Sequence, residues 1–222
     1  MTRILYDLAG ADESFRFSPY CWRIKLALAH KNLPYETIPW RFTDKDAIAM
    51  SGQGKVPVLV DGDKVVADSQ AIAEYLDAAY PAEASLFSEA DCRAFANFVK
   101  SWTERSLHHA ITPVVIADIY ARLAPQDQPY FRQTREAALK RSIEDFAAGR
   151  EAAMPAFRAA LAPIYAVLKT QAFISGETPA YPDHIVFGAL QWARLVSSTP
   201  LFTEDDAIVA WMNRVLAEYD LL

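Results

Sequence analysis

Ser18 and Pro19 stand where a helix can begin, and Cys21 follows in a Ser-x-x-Cys spacing. The stretch is Phe17-Ser18-Pro19-Tyr20-Cys21-Trp22-Arg23-Ile24-Lys25, just after the first apolar run. A serine at the N-cap accepts a hydrogen bond from a free N–H of the first turn. A proline at the next position gives up an N–H that the helix does not use. The helix start carries unsatisfied donors and the positive end of the dipole. That environment suits an anion, and a thiolate is one. The same residues also make an ordinary helix cap, so taken alone the stretch keeps both readings. With serine at the first position the chain lacks a dithiol, so disulfide exchange through two protein cysteines is not expected. Cys21 reads as a small buried core residue. Were it the reactive thiol, thiol exchange would return.

Further along, Val56-Pro57 precedes an apolar run, and Asp68-Ser69 opens a helix. Pro57 is either an edge proline or a cis-proline. Asp68 and Ser69 read by default as a helix cap. Lys55 and Arg41 are candidates to neutralise a carboxylate, or else solvated surface charges. Trp40 either lines a cleft or closes a strand end. Of the four histidines, His108 and His109 are adjacent and point to different sides of a helix, while His30 and His184 lie far from any ligand cluster. No metal site is expected.

The elements that position these residues fall into two kinds. Arg3 to Asp7 predicts a strand, and Cys21, Ile24 and Leu28 mark a helix that Asn32 and Pro34 end. Tyr35 to Trp40 predicts a second strand, with Pro39 at its end or on an edge. Asp44 to Met50 is weakly helical. Lys55 to Val60 and Lys64 to Ala67 predict a hairpin around Asp61-Gly62-Asp63. Ile72, Tyr75, Leu76 and Ala79 share one face of the next helix. Tyr80 to Ser85 reads as a linker, and from Glu89 strand signals vanish. Phe95, Phe98, Val99 and Trp102 form a stripe on a helix expected to reach about Tyr120, kinked or interrupted at Pro113. After a connector over Ala124 to Pro129, a helix bearing Phe131, Leu139, Ile143 and Phe146 runs to Gly149, and Phe157, Leu161, Ile164 and Leu168 mark another. Asp183 to Val196 is apolar nearly all round and should be the central buried helix. Thr203 resembles the cap of the last helix. An α/β unit followed by an all-α unit is the expected fold class.

Composition narrows the function. The 222 residues are 52% apolar and 23% charged, enough for a substantial core, and the net charge is −6. That balance argues against nucleic acid or an anionic membrane as the main partner. Two cysteines, Cys21 and Cys92, make no disulfide framework. Asp7, Asp12 and Glu13 interrupt any early apolar run, so a soluble cytoplasmic protein is expected.

The order Ser18-x-x-Cys21, Val56-Pro57, Asp68-Ser69 resembles the glutathione transferase superfamily over essentially the whole chain. Ser18 to Arg23, Asp68-Ser69 with Ile72 to Asp77, and Leu123 to Asp127 leading to Gly149-Arg150-Glu151 are similar to the bacterial β-etherases of lignin breakdown and related fungal transferases. The resemblance implies a thioredoxin-fold, glutathione-binding domain over residues 1–80. It implies an all-helical domain over 87–222, carrying much of the acceptor site, and a homodimer. Glutathione would be the co-substrate, with Ser18 facing its sulfur and stabilising the thiolate for attack on a hydrophobic, aromatic electrophile. Pro57 would be the superfamily's cis-proline, with Val56 pairing to the cysteinyl backbone. Ser69 would hold the γ-glutamyl carboxylate and Asp68 its ammonium, Lys55 or Arg41 the glycyl carboxylate, and Trp40 would border the same site. His108, His109, Ile116 and Tyr120 are acceptor-side candidates. Cleavage of a β-aryl ether is the sharper version of this activity. A glutathione-dependent reductase or isomerase would share the site, and a non-catalytic carrier of hydrophobic ligands would keep the fold. One departure is Ala180, where the family often has Ser or Thr three residues before Asp183; the lost cap should cost about 1 kcal/mol locally.

Overall fold

A computed structural model describes residues 3–87 and 90–221. The first part contains β1 (Arg3–Leu8), α1 (Pro19–His30), β2 (Tyr35–Trp40), a 3₁₀ turn (Asp46–Ser51), β3 (Val58–Asp61), β4 (Lys64–Ala67) and α2 (Ser69–Ala79). The strands form one sheet in the order β2-β1-β3-β4. β1 and β2 are parallel, so a crossover is required, and α1 supplies it. The edge position of β2 accommodates Pro39, which has no N–H to give to a further strand. β3 and β4 close as a hairpin, with Gly62 in the left-handed region at φ 60°. The third strand starts later than expected: Lys55 to Pro57 precede its ladder, and the Val56–Pro57 peptide is cis.

The second part is helical: α3 (Ala90–Trp102), α4 (His108–Arg122), α5 (Gln128–Leu139), α6 (Ile143–Ala148), α7 (Arg150–Ala160), α8 (Ala162–Leu168), α9 (Tyr181–Val196) and α10 (Ala207–Glu218). The expected helix start at Glu89 lies outside the described residues. The break near Pro113 is not there. Pro113 lies inside α4, and the irregularity is a π turn at Thr103–Leu107 that joins α3 to α4. That turn brings Glu104 against Arg23 of α1 at 2.8 Å and against Lys100 at 2.9 Å. The expected stripe on α3 is also displaced. Ala96, Val99 and Thr103 are the buried line, whereas Phe98 is 69% exposed. Two expected single helices are each divided. Lys140 turns left-handed at φ 56° and Ser142 caps α6, while a bend at Leu161 separates α7 from α8. Asp206, not Thr203, caps α10 by accepting from Ile208 N–H at 2.8 Å.

Helix α9 is buried along nearly its whole length, and α1 packs on it. Gly188 makes that approach possible. A Cβ there would overlap the carbonyl oxygen of Pro19 and lie 3.3 Å from Arg23 Cγ. The N-terminus of α9 is held from within the core by Asp183, which is fully buried. Its carboxylate accepts from Ile174 N–H at 2.7 Å, Ser175 N–H at 3.0 Å, Ala180 N–H at 3.3 Å and Trp211 Nε1–H at 3.1 Å. No side chain at position 180 caps α9; Asp183 N–H goes to the Ala180 carbonyl at 2.9 Å, and the Asp183 carboxylate ties the helix start to the loop before it. Asp183→Ala leaves these donors without an acceptor and should cost about 3 kcal/mol or more. Urea denaturation followed by circular dichroism measures it, and a midpoint equal to wild type would show that water replaces the carboxylate.

Candidate functional site

A cavity of about 350 Å³ opens between the sheet-bearing part and the helical part. Ser18 lies at its edge, 3% exposed, as the N-cap of α1. Its Oγ accepts from Cys21 N–H at 3.2 Å. A hydroxyl has one proton to donate besides its acceptor sites, and within the protein the Cys21 sulfur is in reach of it. Ser18 is an oxygen anchored by the helix start at the edge of the cavity.

Cys21 is fully buried and does not line the cavity. Burial, reinforced by Asp7, pushes its thiol well above the ordinary range. It is a core residue. Val56 lines the cavity beside Gly54 and Lys55 and stands outside the β3 ladder. Lys55 is exposed at the rim, and no described carboxylate lies within ion-pair distance of it. Arg41 differs. It pairs with Glu13 at 3.1 Å and reaches Gly10 and Ala11 carbonyls, and it does not line the cavity. Trp40 ends β2 and lines the cavity, and its indole N–H donates to the Asp44 carbonyl at 2.7 Å.

Asp68 and Ser69 do not line this cavity. Asp68, at φ 79°, caps α2: its Oδ1 accepts from Gln70 N–H at 2.9 Å and Ala71 N–H at 3.2 Å. Oδ2 has no described partner. Ser69 is buried, and its carbonyl accepts from Tyr181 Oη at 2.8 Å. Through Tyr181 and Gly188, α9 therefore touches both helix starts. Tyr20 of α1 does line the cavity; burial pushes its phenol up, Arg23 works against that, and Glu104 and Asp68 add to it.

Of the acceptor-side candidates, His108 and Ile116 line the cavity. His109 faces outward and contacts the Glu104 carbonyl, and Tyr120 stacks with Arg132 instead. Sequence reasoning missed most of the remaining wall: Phe42, Tyr130 and Phe131, Trp192, and the cations Lys45 and Arg135. Asp127 brings α5 to this wall: its buried carboxylate accepts from Thr43 N–H at 2.9 Å and Thr43 Oγ1 at 2.8 Å. That clamp ties the loop after β2 to the start of α5. Among the described residues no group of three His, Cys, Asp or Glu side chains gathers to hold a metal ion.

The comparisons with known proteins agree with this geometry. The family pattern described as "Glutathione S-transferase, C-terminal domain" matches residues 94–219, and that described as "Glutathione S-transferase, N-terminal domain" matches residues 14–84. The chain belongs to the glutathione S-transferase family. It is 47% identical over 64 residues to "Glutathione S-transferase Z1" of Arabidopsis thaliana, covering 27% of this chain and 29% of that relative. It is 43% identical over 77 residues to "Glutathione S-transferase Z2" of the same organism, covering 32% and 34%. The chain thus spans about a third or less of the length of these curated relatives. Among solved structures, glutathione transferase GSTFuA3 from Phanerochaete chrysosporium superposes with TM-score 0.88 at 25% identity, over 100% of this chain and 98% of that one. CsGST83044 of Ceriporiopsis subvermispora, solved in complex with glutathione, superposes with TM-score 0.85 at 23% identity, over 100% and 99%. No described helix is long and apolar enough to cross a membrane.

Burial disfavours the protonated form of three histidines. His108 is pushed down to about 3 by burial and then by Arg23, His184 falls well below its ordinary value, and His30 is lowered. In the unfolded chain histidine takes a proton near 6.5, so the unfolded state gains protons that the folded state refuses. Stability is then full above about pH 6.5 and declines as pH falls toward the lowered values. Urea midpoints between about pH 7 and 5 should show this decline. It should be shallower in His108→Gln, and an unchanged slope would assign the acid sensitivity to other groups.

Proposed function

We propose that this protein is a glutathione transferase in which Ser18 stabilises the thiolate of glutathione. The observation that carries this reading is the Ser18 hydroxyl, pinned at the start of α1 and opening onto an aromatic-walled cavity. A free thiol titrates near 8.5. A hydroxyl donating to sulfur and the positive helix end both favour the charged form. The thiol proton goes to solvent, and the sulfur bonds to an electrophilic carbon. The bond from that carbon to its leaving group breaks, and the leaving group departs with the electron pair. Ser18 touches the nucleophile and is not itself the attacker.

Glutathione would lie along the edge of the sheet. Val56 would pair with its cysteinyl backbone as an added strand does. Asp68 Oδ2 would take the γ-glutamyl ammonium and Ser69 the adjoining carboxylate, with Lys55 at the glycyl carboxylate. Trp40 would border this half of the site. Residues 1–80 would thus carry glutathione and 87–222 most of the acceptor wall. The rings of Phe42, Tyr130, Phe131 and Trp192 suit an aromatic electrophile. A β-aryl ether, with its two aryl groups, is one such substrate. The likeness to glutathione transferase GSTFuA3 over the whole chain supports glutathione transfer as the reaction. A cytoplasmic setting would supply reduced glutathione.

Ser18→Ala should lower kcat/KM for a neutral aryl halide by about tenfold to a thousandfold. Glutathione binding by calorimetry should stay within a few-fold, because the remaining contacts persist. Full activity in that variant would move the role elsewhere, and absence of glutathione binding to the wild type would favour a non-catalytic carrier. A β-O-4 aryl ether assayed beside the halide separates etherase from general transferase activity.

A homodimer is part of the same reading. Phe98 is 69% exposed on α3 and Phe95 is 40% exposed one turn earlier, and a second copy would cover both. Sedimentation velocity should give a dimer at micromolar concentration, and Phe98→Glu should shift it to monomer. A monomeric wild type would overturn the assignment.

A further inference from the structure

Although the chain carries a net charge of −6, the charged residues lining the cavity are all cations: Lys45, Lys55 and Arg135. Two of them have other uses. Lys55 lies beside Val56, where the proposed glutathione backbone would run. Lys45 donates to the Gly54 carbonyl at 2.7 Å and sits over the rings of Trp40 and Tyr130 at 4.9 and 5.0 Å. Arg135 comes from α5, in the helical part, and donates to no main-chain carbonyl among the described contacts.

The surroundings of Arg135 are unusual for a half-buried cation. Its guanidinium lies against a contacting pair of rings, 5.5 Å from the centre of Phe42 and 5.0 Å from that of Phe131, whose own centres are 5.7 Å apart. Its one hydrogen bond to a side chain goes from Nη1 to Thr134 Oγ1, at 3.1 Å. Among the described residues no carboxylate pairs with it. The carboxylates nearby are taken by Arg132, which bonds Glu136 at 2.9 Å and Glu144 through two nitrogens at 2.7 and 2.9 Å. Burial lowers the pKa of Arg135, with Tyr130 opposing. A guanidinium desolvated among aromatic rings and left without an anion is costly unless a ligand supplies one. Its planar fork matches a carboxylate held by two parallel bonds.

Resting on the transferase reading above, we propose that Arg135 selects the acceptor: the substrate is an aromatic electrophile that carries a carboxylate. Its ring lies against Phe42, Tyr130 and Phe131, and its carboxylate meets the Arg135 guanidinium. The reacting carbon faces Ser18 from the opposite end of the cavity. Glutathione's own carboxylates take no part at Arg135.

Two probe pairs test this. For turnover, 4-chloro-3,5-dinitrobenzoate and 2-chloro-1,3-dinitrobenzene share the leaving group and the nitro positions and differ in the carboxylate. In Arg135→Gln the KM for the benzoate should rise by about tenfold to a hundredfold. The KM values for the neutral halide and for glutathione should stay within twofold, and Arg135→Lys should retain part of the preference. Equal losses on both acceptors, or no loss on either, would overturn the proposal. A raised KM for glutathione would also overturn it, because the cation would then serve the glycyl carboxylate. For binding without chemistry, quenching of tryptophan fluorescence compares 3,5-dinitrobenzoate with 1,3-dinitrobenzene. The wild type should bind the benzoate more tightly, the gap should close in Arg135→Gln, and saturating glutathione should leave it unchanged. Loss of the gap with glutathione present contradicts the proposal. This second pair reads Arg135 even if neither halide is turned over, which would instead count against the transferase reading.

Discussion

The contact between α1 and α9 at Gly188 sets the position of everything else in the site. Only a residue without a Cβ lets the Pro19 carbonyl come so close to another helix. That proximity seats the start of α1, and with it Ser18, at the junction of the sheet and the helical half. The same α9 reaches the start of α2 through Tyr181 and the Ser69 carbonyl. Two helix starts that lie far apart in sequence are thereby referred to one buried rod. Asp183 holds that rod at its end with four accepted hydrogen bonds. Arg23, wholly buried on α1 and paired with Glu104, ties the π turn to the same contact. A shift at Gly188 would therefore move Ser18, the start of α2 and one wall of the cavity together.

The cavity itself is divided by chemistry. Its sheet side offers a hydroxyl donor, the backbone around Val56 and an exposed lysine. Its helical side offers rings and a half-buried guanidinium. A peptide-like, charged co-substrate suits the first, and a flat apolar partner with one anionic group suits the second. His108 adds a neutral ring to the wall rather than a charge, because burial beside Arg23 disfavours its protonated form. On the proposed reading, electrostatic help for a bound thiolate would come from the helix start and Ser18, while the thiol of Cys21 stays in the core.

Local signals in the sequence covered the sheet half well. Ser18-Pro19 marks a helix start because capping is a property of adjacent residues, and the same holds for Asp68 before α2 and Gly62 in the hairpin. The buried character of α9 was legible because an all-round apolar helix has few other places to go. What escaped depends on packing between distant segments. Arg135 and Lys45 carry no local signal of a site, and they meet at the cavity only because Asp127 and Thr43 bring α5 and the loop after β2 together. On α3, Phe95 and Phe98 fit an apolar helical stripe, yet the core takes the neighbouring line of Ala96, Val99 and Thr103. Helical spacing gives the period and not the phase. Pro113 is tolerated within α4, and nothing in Thr103 to Leu107 announces a π turn. Arg41 was a reasonable carboxylate ligand by charge, and only the fold shows it paired with Glu13.

The central claim is that Ser18 lowers the pKa of the glutathione thiol, and the ultraviolet absorbance of the bound thiolate tests it most directly. Titrated against pH, bound glutathione should ionise well below the ordinary thiol value of about 8.5 in the wild type. In Ser18→Ala the titration should move back toward that value while glutathione remains bound. A bound thiol that titrates at the same pH in both proteins would contradict the account.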